Sequence, residues 1–100
     1  MQVELSKIAK QTLREEIEFL ETTWSNKEIV AFLHDIKRVS AVLKEGHFKR
    51  YPIYSRDIRS ALIGKKHVRM FFRMENPHTI RVLLFFDMRQ DPQKIIDLLA

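Results

Sequence analysis

The sequence predicts an α+β domain: an N-terminal strand and a helical hairpin packed on a small, mainly antiparallel sheet, in the order β-α-α-β-β-β, with a short C-terminal helix. Three observations carry this. Apolar residues recur every three or four positions through the first 45 residues and every second position from about 57 to 87. Two breaks, "GKK" at 64–66 and "ENPHT" at 75–79, divide the second region into three runs. The ending, "DPQKIIDLLA", returns to helical spacing behind an Asp-Pro start signal.

Taken in order, "VEL" at 3–5 alternates and reads as a short strand. From Ser6, one stripe of Ala9, Leu13, Ile17, Leu20 and Trp24 marks the first helix. Ser25 and Glu28 have capping-box spacing, worth about 1 kcal/mol, and Trp24 and Ile29 sit where a hydrophobic staple would hold the incoming chain. Ile29, Phe32, Leu33, Ile36, Val39 and Leu43 continue the second helix until Gly46. So short a connection between helices predicts an antiparallel pair. "GHFKRYPIYSR" reads as a basic, aromatic connector, either the rim of a nucleic-acid groove or a plain loop. Strands are expected at about 57–63, 67–75 and 79–87. Asp91 is the expected N-cap of the last helix and Pro92 its first residue.

Folding 67–87 about Pro77 pairs Met74 with Ile80, Phe72 with Val82, Met70 with Leu84 and Val68 with Phe86, all apolar. A slip of one residue would set Phe72 beside Arg81, because it swaps the faces of a whole strand. Folding 58–72 about Lys65 pairs Leu62 with Val68, Ser60 with Met70 and Ile58 with Phe72. The even-numbered face is then core. The odd-numbered face holds Arg59, His67, Arg69, Phe71, Arg73, Arg81 and Phe85. Such a face is either an ordinary solvated wall whose arginines pair with Glu75, Asp87 and helix carboxylates, or a surface for phosphates and unstacked bases.

The whole chain is one domain of 100 residues without cysteine, so no disulfide holds it. Eighteen Lys and Arg against 13 acids give a net charge of +5. Between residues 46 and 89 the acids are Asp57, Glu75 and Asp87 alone, which points to a polyanionic partner or a merely positive surface. The start has no apolar signal-peptide core, and no apolar run reaches the roughly 20 residues of a membrane span. A cytoplasmic protein with no membrane partner is the expectation. His34, His47 and His78 lack metal-ligand spacing, so neither metal nor cofactor is expected. His67 is expected opposite Asp87, as an oriented base or a cross-strand pair.

The order of "VELS", a charged helical hairpin, "VRMFFRM" and "TIRVLLFFDMRQDP" resembles the RelE/ParE superfamily of bacterial toxins from type II toxin–antitoxin pairs. The resemblance covers nearly the whole chain. It implies a small toxin with a cognate antitoxin, acting either on ribosome-bound messenger RNA as a metal-free endonuclease or on DNA gyrase as a binder. In the RNA-cutting members one Arg of the central strand holds the scissile phosphate and a second, near the end of the last strand, assists. Arg69 and Arg89 match these positions. The resemblance thus makes Arg69 and Arg89 catalytic candidates; His67 joins them from its expected place opposite Asp87, and the basic sheet face and its turn offer Arg59, Arg73, Arg81, Lys65 and Lys66 as nucleic-acid contacts. "DMRQDP" carries no aromatic where the RNA-cutting members have one, and their Lys or Glu base has no clear match. A non-catalytic binder is therefore the second expectation.

Overall fold

Strand β1 (Gln2–Leu5) leads into helix α1 (Lys7–Thr23), and two residues later the chain enters α2 (Asn26–Lys44). Strands β2 (Ile53–Ser55), β3 (Ile58–Ile63), β4 (Val68–Asn76) and β5 (Thr79–Asp87) follow, and α3 (Gln93–Leu99) closes the chain. This computed structural model describes residues 1–64 and 67–99. The five strands form one sheet in the order β1-β5-β4-β3-β2, with β1 parallel to β5 and every other pair antiparallel.

The capping box, the Gly46 stop and the Asp91 cap act as expected. Ser25 accepts from the Glu28 N–H while the Glu28 carboxylate accepts from the Ser25 N–H, a reciprocal capping box. Trp24 stands edge-on to Phe32 at 6.2 Å between ring centroids. Gly46, with φ +89, takes the left-handed conformation that ends α2. At the last helix the Asp91 carboxylate accepts from the Gln93 N–H at 3.0 Å.

Strand β2 is an addition to the expected set. Its three residues are all exposed, so no burial pattern marked it within the Pro52 connector. The two-residue turn to β3 puts Arg56 at φ 51, a left-handed conformation that tight hairpin turns require.

Register departs from expectation at defined points. Arg73 faces Arg81, Phe72 faces Val82 and Met74 faces Ile80, as read. Beyond them, however, Phe71 pairs with Leu84, Met70 with Phe85 and Val68 with Asp87. Leu83 is an extra residue in β5, and Glu75 is an extra residue in β4 before Asn76 meets Thr79. The β3–β4 pairing is also displaced by one: Ile63 meets Val68, Leu62 meets Arg69 and Arg59 meets Phe72. Ala61 and Ile63 are thus buried toward the helices, whereas Leu62 is exposed.

Helix α1 makes the Leu83 bulge affordable in hydrogen bonds. Beyond Leu5 the strand β1 has ended, so the edge of β5 from Leu83 onward has no strand beside it. The Ser6 hydroxyl donates to the Leu83 carbonyl at 3.0 Å and accepts from the Ala9 N–H at 3.0 Å, capping α1. Thr12, buried, accepts from the Phe85 N–H at 3.0 Å and donates to the Ile8 carbonyl at 2.8 Å. Two polar side chains of one helix therefore replace the missing strand.

The bulge also divides the core. On the helix side, Met70, Phe72, Ile80, Val82 and Phe85 pack with Leu20, Phe32, Val39 and Leu43. On the other side, Phe71, Leu84 and Phe86 pack under Ile95 of α3.

Candidate functional site

The outer face of the sheet presents Arg69, Arg73 and Arg81 together, as the alternation of β4 predicts. Arg69 is half-buried and its Nη1 donates to the Ser60 hydroxyl at 3.2 Å. Arg73 is exposed beside Arg81. The like charges are offset: Arg81 donates through Nε and Nη2 to Glu75 at 3.0 and 2.7 Å, and its Nη2 lies 3.2 Å from Glu4 of β1. Among the described residues no carboxylate lies within ion-pairing distance of Arg69 or Arg73.

The rest of the predicted arginine face is redistributed. Arg59 lies on the helix side, its Nη1 donating to the Tyr51 carbonyl at 2.7 Å and its guanidinium 5.7 Å from the Phe48 ring centroid. The one-residue displacement of β3 is the cause: Arg59 now shares a face with Phe72. Phe85 moves to the helix side through the Leu83 bulge. Phe71 stays on the outer face but is fully buried, with Tyr54 edge-on at 4.9 Å and α3 beside it. It offers no open ring for a base. Lys65 and Lys66 lie outside the described residues.

A second concentration of polar groups lies on the helix side, at the end of β5. A cleft of about 350 Å³ opens there, lined among others by Glu16, Phe19, Trp24, His67, Asp87 and Arg89. Arg89 forks onto Asp87, with Nε at 3.0 Å from Oδ1 and Nη2 at 2.6 Å from Oδ2, and its own N–H also reaches Oδ1 at 2.9 Å. These hydrogen bonds hold the buried Asp87 carboxyl below its usual range, against the opposing effect of burial. Glu16, one helical turn beyond Thr12, behaves oppositely. Burial, and then the nearby Asp87 charge, raise its pKa to about 7. His67 is exposed on the rim. The residue facing Asp87 across the strands is Val68, so the direct His67–Asp87 pairing gives way to a shared cleft.

The structure therefore does not bring Arg69 and Arg89 together. Arg69 emerges on the outer face beside Ser60, while Arg89 lines the helix-side cleft. Glu16 escaped the sequence reading because a lone Glu on the stripe edge of a Glu-rich helix is indistinguishable from its solvated neighbours. Its four-residue offset from Thr12, which places both on one side of the helix, was the available signal.

No protein-family model and no curated protein sequence matches the chain. Among solved structures, it is similar to a chain of the "Chromosomal ParDE TA system from P. aeruginosa", with a TM-score of 0.64 and 14% identity over 87% of this chain and 95% of that one. At that identity the likeness is one of fold, and it agrees with the topology the sequence predicts.

Proposed function

We propose that the protein is the toxin of a bacterial type II toxin–antitoxin pair, cytoplasmic, and that it acts by binding a protein target in the ParE manner rather than by cutting messenger RNA. Its partners are a cognate antitoxin and, as the target, DNA gyrase. The fold likeness to the ParDE chain supports the toxin reading. One observation carries the choice of mechanism. Arg69 and Arg89, the two guanidiniums that would clamp a scissile phosphate, occupy opposite sides of the sheet, and Arg89 is already forked onto Asp87. Cleavage by 2′-hydroxyl attack needs donors converging on one phosphorus, where charge grows in the transition state. An Arg next to a Ser hydroxyl on an open face positions an anion without supplying a base.

The RNA reading keeps one specific support: Arg69 and Arg73 have no carboxylate partner among the described residues and are available to phosphates. The two readings separate in one experiment. Inducing the chain in cells should arrest growth with a DNA-damage response and leave messages intact, and purified protein should leave ribosome-bound message uncut. Message cleavage that disappears in Arg69→Ala would instead establish the nuclease. RNA binding through this face would also weaken with salt, with a slope of roughly 0.7 per phosphate contacted on single strands. A flat response agrees with a protein target.

A further inference from the structure

The helix-side cleft is not used by the reading above. Its volume of about 350 Å³ suits a small organic molecule or a single side chain. Part of its wall is apolar, made by Phe19, Leu20, Ile63 and Val68. The remainder carries Glu16, Glu28, His67 and the Asp87–Arg89 pair.

The charges there are unequally committed. Arg89 neutralises Asp87. Glu28 accepts from the Ser25 N–H and hydroxyl. Glu16 is only 9% exposed, yet no hydrogen bond or ion pair involves its carboxylate among the described residues. No fully enclosed side-chain oxygen among those residues lacks a partner, so the Glu16 oxygens open into the cleft rather than into the core. A carboxylate taken from water without a donor is costly, and a cation relieves that cost. Among the described residues no three His, Cys, Asp or Glu converge to hold a metal ion, so the cation that fits is organic.

The geometry points to this cleft as a binding site for a primary alkylammonium group, with Glu16 accepting its N–H donors and Phe19 and Leu20 covering its methylenes. The inference is independent of the toxin reading. The ionised form of Glu16 is the one that binds, and cation binding expels the proton that the empty site retains near neutrality. The charged groups facing Glu16 are Asp87 of β5, Arg89 after it, His67 before β4, Glu28 of α2, and Glu15 on its own helix. Lys65 and Lys66 lie outside the described residues.

The test titrates the full chain with n-butylammonium chloride and with n-butanol, its uncharged counterpart, by calorimetry. The ammonium should bind about tenfold or more tightly than the alcohol, the worth of one charge-assisted hydrogen bond. Glu16→Gln keeps the side-chain volume and removes a buried charge, so it folds. It should weaken the ammonium about tenfold or more and leave the alcohol unchanged. Affinity of the native chain should climb as pH rises toward about 7 and level off above it. Nα-acetyl-lysine amide separates the two sources of an ammonium: tighter binding than n-butylammonium assigns the site to a lysine of a partner protein, and equal or weaker binding assigns it to a free amine. Equal binding of ammonium and alcohol, unchanged ammonium binding in Glu16→Gln, or no binding of either probe overturns the proposal.

Discussion

Glu16 and Asp87 share a cleft and respond to pH in opposite senses. Glu16 has a folded pKa raised from 4.5 to about 7. The folded state therefore holds a proton that the unfolded state has released, and the resulting stability is full below about 4.5 and is lost as pH rises to about 7. Asp87 has a folded pKa lowered from 3.8, so its contribution is present above that value and is lost as pH falls through the folded pKa. Together the pair favours folding most strongly near pH 4 to 4.5, between the two reference values. Urea midpoints measured across this range should fall on the alkaline side, and Glu16→Gln should flatten that limb and add about 2 kcal/mol at pH 8. A midpoint that rises steadily from pH 5 to pH 8 would contradict the burial of Glu16. The opposing arginines on the outer face are a different residue-scale case. Their even spacing was legible in the sequence, and Glu75 was one of the partners open to an ordinary solvated face. The contribution of Glu4 was not, because it depends on a parallel pairing between chain ends that alternation does not encode.

Element by element, local signals were read well where one face is polar and poorly where both are apolar. The capping box, Gly46 stop and Asp91 cap each rest on a few adjacent residues whose chemistry has a single use. In the β4–β5 hairpin, Arg73 and Arg81 fixed the register near the turn. Past Leu83 the run "VLLFF" has no polar residue to mark a face, and both faces are buried, one by the helical hairpin and one by α3. A bulge in such a run leaves no trace in hydrophobic periodicity. In "IRSALI", likewise, Ile58 and Leu62 compete with Ala61 and Ile63 for the core, and the pattern does not choose between the two pairs. The bulge depends on α1. Thr12→Val, nearly the same shape, should leave the Phe85 N–H without its acceptor and cost about 1–3 kcal/mol in urea denaturation. Thr22→Val, which removes only an exposed bond to the Phe19 carbonyl, should stay within about 0.5 kcal/mol. Equal effects would mean that the buried bond at the bulge has no special weight.

At the scale of the whole molecule, seven residues of α3 change what the sheet can offer. The sequence suggested an open arginine wall with an aromatic floor, but α3 seals that floor, leaving cations at the rim and a second small core beneath. Ile95, fully buried, holds that seal, and Ile95→Ala should cost about 2–4 kcal/mol, whereas Ile96→Ala, at 57% exposure, should cost under about 0.5. Thermal or urea unfolding of the two variants checks this, and a similar loss in both would place α3 off the sheet. Fold class and every strand but β2 were largely legible because they follow from periodicity. The division into two cores, and the cleft where Glu16 meets Asp87, were not, because they arise from contacts between segments some seventy positions apart. The parallel bond between β1 and β5 has a consequence for biosynthesis. Gln2 to Leu5 leave the ribosome more than seventy residues ahead of their neighbours, Thr79 to Val82. Until those later residues emerge, β1 has no strand to dock on, so a product terminated before them carries an incomplete sheet.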